Sequence, residues 1–114
     1  MSYEEAENYQ ARLDAAQEAY SAARDRYGNT KARVWDTDIL KNKAEHAWGR
    51  ALSSPDPEER ERGWEEYQKA KQDADDAFNE RGEAEERSDK ARNAYQRLGW
   101  ELLGASTVLP QKNK

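Results

Sequence analysis

The stretch SSPDPEER, from Ser53 to Arg60, lies near the middle of the 114-residue chain and decides how the chain folds. Proline has no amide hydrogen and its ring blocks the preceding helical turn, so Pro55 and Pro57 end any helix that arrives from upstream. The stretch therefore predicts that a first helix ends near Leu52 and that the chain then turns back on itself.

Helix-start signals occur at two places. Asp56 is a good N-cap, Pro57 suits the first helical position, and Glu59 stands where it would complete a capping box. Ser2 and Glu5 have the same S-x-x-E spacing at the amino end of the chain. These signals predict one helix that starts at each place.

The carboxyl end of the second helix has weaker signals. Gly104 is able to cap a helix, and Pro110 opposes its continuation. We therefore predict one helical hairpin in residues 1–105, with a tail that is flexible or extended. Its expected segments are helix 1 at about 3–52, a turn at 53–56, helix 2 at about 57–103, and the tail at 106–114.

Apolar and small residues recur with a heptad period in both halves of the chain, as a and d positions of a coiled coil do. In helix 1 the a series is Ala6, Leu13, Tyr20, Tyr27, Val34, Lys41 and Trp48, and the d series is Tyr9, Ala16, Ala23, Thr30, Thr37, Ala44 and Ala51. In helix 2 the a series is Tyr67, Ala74, Arg81, Ser88, Tyr95 and Leu102, and the d series is Ala70, Ala77, Ala84, Ala91, Leu98 and Ala105.

The many alanines on helix 2 predict a partner helix that approaches closely and brings larger side chains. When helix 1 is that partner and facing residues have numbers that sum to 111, large residues face small ones at most levels, as a close-packed core requires. The expected pairs include Tyr20 with Ala91, Tyr27 with Ala84, Val34 with Ala77, Ala44 with Tyr67, and Trp48 with Gly63. The predicted fold is an all-α, long antiparallel two-helix coiled-coil hairpin.

A three-helix arrangement is the alternative, because Gly28 and Asn29 could interrupt helix 1. The heptad passes through them without a skip, which favours one continuous helix. Thr30, Lys41 and Arg81 are polar at seam positions, where long basic side chains are expected to reach outward to water.

Composition excludes several classes of function. Hydrophobic residues make up 35% and charged residues 38% of the chain, which is typical of long helices and leaves no thick core. The formal net charge is −5, and residues 53–90 hold 14 acidic and 7 basic residues. Nucleic acid is therefore not an expected partner. No apolar run approaches the ~20 residues that span a bilayer. With no signal peptide recognised either, we expect a cytoplasmic or virion-associated protein without membrane contact.

Catalysis has little support. His46, the single histidine, falls on an outer heptad position without a ligand-like neighbour set. Neighbouring acidic residues such as Asp36 and Asp38 have no predicted pocket that would hold them apart from water. We expect no enzyme activity, no cofactor, no metal and no small-molecule substrate.

Apolar residues outside the seam are the candidate contact surface, because exposed Trp with Ile or Leu at helical spacing is typical of binding surfaces. The predicted partner-binding residues are Trp35, Ile39, Leu40, Phe78, Trp100 and Leu103. The chain's own tail is an alternative cover for Trp100 and Leu103. For the others we expect a protein partner or a second copy, for example in a four-helix bundle.

Three functions fit these features. The first is a non-enzymatic helical assembly or adaptor module of bacterial or phage type, which self-associates or docks on a larger complex. The second is a small secreted helical hairpin, because the size and hairpin plan resemble the WXG100 (ESAT-6-like) family. That family carries W-x-G at the turn, whereas the segment AWGRAL at Ala47–Leu52 has Trp48 and Gly49 adjacent, and the arms are longer here. The third is an acidic inhibitor of a basic protein surface.

Overall fold

The chain forms an all-α helical hairpin in the computed structural model, which describes the backbone of residues 2–112 and the side chains of residues 2–101. Helix α1 spans Tyr3–Ala51 and helix α2 spans Pro57–Lys112. The described residues contain no strand. The predicted fold class is confirmed.

Helix α1 runs without a break through Gly28 and Asn29. Among the residues described, none has a positive φ and no peptide bond is cis. A single glycine costs a helix only about 1 kcal/mol, and seam residues on both sides of it hold the backbone in place. The three-helix alternative is therefore wrong.

The backbone of α2 is helical to Lys112, which differs from the predicted end near Leu103. Gly104 permits a left-handed cap but does not impose one, because glycine also occupies helices at modest cost. Pro110 stands near the end of the helix. The predicted tail at 106–114 is thus helical as far as residue 112, and residues 113–114 lie outside the described part.

The start of α1 has the predicted capping box. The Glu5 amide donates to Ser2 Oγ at 3.2 Å, and the Ser2 amide donates to Glu5 Oε2 at 3.3 Å. Each bond satisfies an amide that has no partner within the helix.

The turn is held by a denser network than the sequence predicted. The Glu58 amide donates to Asp56 Oδ1 at 3.0 Å, which confirms Asp56 as the N-cap. Glu59 does not reach back to Asp56; its carboxylate accepts a bond from Ser54 Oγ at 2.6 Å. Ser54 Oγ accepts the Asp56 amide instead, at 3.2 Å, and Arg60 Nη1 donates to the Ser54 carbonyl at 2.6 Å. Ser54 thus replaces Glu59 as the acceptor because it is closer along the chain.

Two compact units divide the hairpin, and each contains part of both helices. The turn unit is Tyr27–Ala84, and the terminal unit is Met1–Arg26 with Glu85–Lys114.

Small residues of α2 form the buried centre of the turn unit. Ala77 is 0% exposed, and Ala74, Ala84 and Gly63 are also buried. No described residue of α1 is fully buried, and its predicted seam positions in this unit are half-buried. This asymmetry is what the predicted packing of larger α1 side chains over alanines of α2 requires.

The seam of the terminal unit also consists of residues at a and d heptad positions. Ser88 is buried, and Leu13 and Leu98 are half-buried. The rings of Tyr20 and Tyr95 stack with their centroids 6.3 Å apart. This ring contact joins the two helices within the terminal unit, although the predicted register paired Tyr20 with Ala91.

Polar residues at the seam have interaction partners within their own helix. Thr30 Oγ1 donates to the carbonyl of Tyr27 at 2.7 Å, and Thr37 Oγ1 donates to carbonyls of the preceding helical turn. Arg81 is half-buried and places its guanidinium carbon 4.7 Å from the centre of the Phe78 ring. Such local partners remove most of the cost of a polar group at a seam.

Candidate protein-protein interface

Three aromatic rings from the two helices pack against one another beside the turn. Trp48 of α1 lies 4.7 Å from Trp64 and 5.3 Å from Tyr67 of α2, measured between ring centroids. A Cβ built on Gly63 would lie 3.5 Å from Trp48 Cα and 3.0 Å from Ala51 Cβ. The predicted contact of Trp48 with Gly63 is confirmed, and the glycine makes room for it.

A strip along the outward side of α1 in the turn unit carries no formal charge, although the outward c positions beside it hold Asp36 and Lys43. We call it the outer stripe, and it occupies the b and f heptad positions between residues 28 and 49. Its members are Gly28, Ala32, Trp35, Ile39, Asn42, His46 and Gly49. The equivalent positions of α2 in the same unit are half acidic and half uncharged: Glu58, Glu61, Glu65 and Asp75 against Gln68, Gln72, Asn79 and Gly82. In a chain with 38% charged residues, an uncharged stripe along six helical turns is unusual on a solvated face.

Trp35 and Ile39 stand one helical turn apart at the centre of the outer stripe. Trp35 is 71% exposed and Ile39 is 41% exposed. A Cβ built on Gly28 or on Gly49 would meet no atom within 4 Å, so both glycines border open space. The stripe therefore combines apolar bulk at its middle with small residues toward both ends.

Leu40 and Phe78 are exposed in the turn unit but do not belong to the outer stripe. Leu40 lines a shallow cavity of about 150 Å³ with Thr37, Ala70 and three charged side chains of α2. Phe78 lies beside the seam on α2 under the Arg81 guanidinium. The predicted contact residues of this unit thus occupy separate positions, and only Trp35 and Ile39 share one helical face.

Trp100 is 69% exposed in the terminal unit. The side chain of Leu103 lies outside the residues whose side chains the structure describes. Of the predicted contact residues Trp100 and Leu103, the structure therefore describes the side chain of Trp100, and that ring is exposed.

Sequence reasoning missed three exposed apolar residues: Tyr3, Leu52 and Trp64. Trp64 is 44% exposed although it contacts Trp48 and Tyr67. The signal available in the sequence was that Trp64 directly follows Gly63 at the edge of the seam. A ring at that position is able to cover the end of the seam.

The groups considered for catalysis from the sequence lie at the surface of the residues that the structure describes. His46 is exposed, as its outer heptad position predicted. Within that part, no three His, Cys, Asp or Glu side chains cluster in a metal-binding arrangement. An open cavity beside the turn is lined by Arg50, Arg62 and two glutamates, with Ser54 at its edge. No helix in the described residues is both long and apolar enough to cross a bilayer.

Comparison with known protein families, with curated proteins and with solved structures finds no significant match to this chain.

Proposed function

We propose that this chain is a non-enzymatic helical interaction module that binds protein through the outer stripe of α1. The hairpin supplies a rigid support, since one face of α1 is held against α2 and the opposite face is free to bind. The observation that carries the proposal is the exposure of Trp35 and Ile39 side by side on an uncharged face. Large apolar side chains in such positions are typical of binding hot spots.

The thin seam supports the same conclusion. Alanine and glycine fill the buried positions of α2 in the turn unit, so the hairpin removes little apolar area from water for each residue that it orders. A protein bound along the stripe would add apolar burial that the hairpin alone does not have. Binding to the folded state stabilises it by mass action.

An acidic inhibitor is less well supported than this interaction module. Three acidic residues of the 53–90 segment pair with basic groups of the chain itself: Glu80 with Arg33, Glu86 with Lys90, and Asp89 with Arg92. These pairs are solvent-exposed and reduce the acidic surface left for a basic partner. Partner binding that weakens steeply with salt would favour the inhibitor, because exposed charge contacts are screened.

The test compares the wild-type chain with Trp35→Ser/Ile39→Ser. Both substitutions change exposed positions on an intact hairpin, so helicity by circular dichroism should be unchanged. Binding is measured by sedimentation velocity of the chain alone and by quantitative crosslinking of each variant in the source cells. The proposal expects the double variant to lose the complexes that the wild type forms. Equal complex formation by both proteins would rule the stripe out as the contact surface.

A further inference from the structure

We infer that the partner of the outer stripe is the same stripe of a second copy, in an antiparallel arrangement with a twofold axis near residue 37. This inference rests on the proposed function, because it names the occupant of the same surface. Twofold interfaces are isologous, so one patch must be complementary to itself. The sizes of the residues in the stripe and the charges along its two edges are both complementary to a second copy in this way.

Size complementarity appears when the two stripes pair residues whose numbers sum to 74. Ile39 then meets the partner's Trp35, and each apolar pair occurs twice around the axis. Toward the ends, Gly28 meets the partner's His46, and Ala32 meets the partner's Asn42. Because a Cβ at Gly28 would border open space, the larger imidazole has room there. Large residues thus face each other at the centre, and small residues face larger ones toward the ends.

Charges along one edge of the stripe complete the match. Lys31, Asp38 and Glu45 occupy successive e positions and are exposed. In the sum-74 register, Lys31 lies beside the partner's Asp38 and Glu45, and the reciprocal contacts also form. Lys31 lies on one side of the twofold axis, Glu45 lies on the other, and Asp38 lies close to the axis. Each copy's Lys31 therefore comes near acidic residues of its partner, which favours pairing.

The opposite edge has one further pair of opposite charge. Asp36 faces the partner's Lys43, and both residues are exposed. Asp36 and Asp38 also approach their own copies across the axis. Each of these like-charge contacts occurs once, whereas each attractive contact occurs twice. The balance of charge around the stripe therefore favours a second copy of this chain.

A charge-reversal mixture tests this arrangement directly. Lys31→Glu places an acid against the partner's Asp38 and Glu45, and Asp38→Lys/Glu45→Lys places bases against the partner's Lys31. Each variant alone should dimerise at least about tenfold more weakly than the wild type. In an equimolar mixture the contacts of residue 31 are again of opposite charge, and the two copies of residue 38 become opposite in charge as well, so a heterodimer should form with at least near wild-type affinity. Sedimentation equilibrium measures all three samples, and circular dichroism checks that each is helical.

Apolar contacts are tested by Trp35→Ser, which should weaken dimerisation at least about tenfold. Trp100→Ser is the matched control, because it removes an equally exposed ring outside the stripe and should leave the dimer unchanged. A dimer that survives Trp35→Ser, or variants that fail to recover on mixing, would overturn the inference.

Engineered cysteines test the register, since the chain has no cysteine of its own. Asp38→Cys lies near the axis and should form a disulfide with its own copy, whereas Glu45→Cys should not, because the two copies of residue 45 lie on opposite sides of the axis. Equal crosslinking of the two variants would overturn the register.

A wild-type chain that is monomeric at every concentration would overturn the inference of a second copy. The proposed function would still stand if Trp35→Ser/Ile39→Ser removed binding of a different protein. If that double variant lost no complex of any kind, the proposed function would fail as well.

Discussion

Gly63 of α2 lies against Trp48 of α1, and a Cβ added to Gly63 would stand 3.0 Å from the Cβ of Ala51. That distance is shorter than ordinary van der Waals contact, so the absence of a side chain at Gly63 sets how closely the helices approach beside the turn. The Trp48 ring occupies the resulting space and contacts Trp64 and Tyr67.

Replacing Gly63 by alanine should therefore fail to give the usual benefit of alanine in a helix. Gly82→Ala is the control, because its Cβ would meet nothing within 4 Å. We expect Gly82→Ala to raise the free energy of unfolding by about 0.5–1 kcal/mol. The free energy of unfolding of Gly63→Ala should be at least ~1 kcal/mol lower than that of Gly82→Ala, because the neighbouring side chains must move. Urea denaturation measures both, and equal gains would show that the helices do not approach closely at this level.

Tyr27→Ala should lower the free energy of unfolding by about 2–4 kcal/mol, because the ring is half-buried at the seam and its removal leaves a gap over α2. The Lys31 ammonium also lies 4.2 Å from the centre of this ring and would lose that contact. Tyr3→Ala, at an exposed position, is the control and should cost less than ~0.5 kcal/mol. Similar losses for the two variants would mean that Tyr27 does not fill the seam.

Ala77→Leu should destabilise the hairpin by about 1–3 kcal/mol, because Ala77 is the most completely buried side chain of the seam and has no space for three further carbons. Ala22→Leu makes the same chemical change at an exposed position and should have little effect. Thermal unfolding followed by circular dichroism compares them. A neutral Ala77→Leu would contradict the close packing inferred at this position.

Asp56→Ala removes the acceptor of the Glu58 amide at the start of α2 and should cost about 1 kcal/mol. The exposed residue Asp75 lies in the interior of the same helix, so Asp75→Ala should not destabilise the protein. Chemical denaturation of both variants distinguishes the loss of a cap from a general effect of removing an acid. If Asp56→Ala and Asp75→Ala had the same free energy of unfolding, the cap bond would contribute nothing to stability.

Much of the fold was predictable from the sequence because its causes are local or periodic. The two prolines end one helix, Asp56 starts the next, and the heptad series identify the face that each helix buries. The register was predicted from glycine and alanine on α2 that match larger residues on α1. Trp48 against Gly63 is the level at which the structure confirms this most directly.

Other features depend on choices between comparable local energies, and the sequence alone did not settle them. Ser54 takes the role expected of Glu59 in the capping box, because its hydroxyl is also within reach of the Asp56 amide. Helix α2 continues beyond Gly104 because glycine allows both outcomes. The candidate interface was predicted only as a set of outer apolar residues. That Trp35 and Ile39 share an uncharged stripe, whereas Leu40 and Phe78 lie elsewhere, follows from their positions around the helices.

The seam register determines which side of α1 remains free, so its most direct test is a pair of cysteines introduced at Val34 and Ala77, whose numbers sum to 111. Under mild oxidation this double variant should form a disulfide within one chain rapidly and nearly completely, because the register places the two Cβ atoms opposite each other across the seam. The control pair places cysteines at Val34 and Ala84, one heptad away, and should remain reduced. Slow or absent closure at 34 and 77 together with rapid closure at 34 and 84 would contradict the register and, with it, the assignment of the outer stripe.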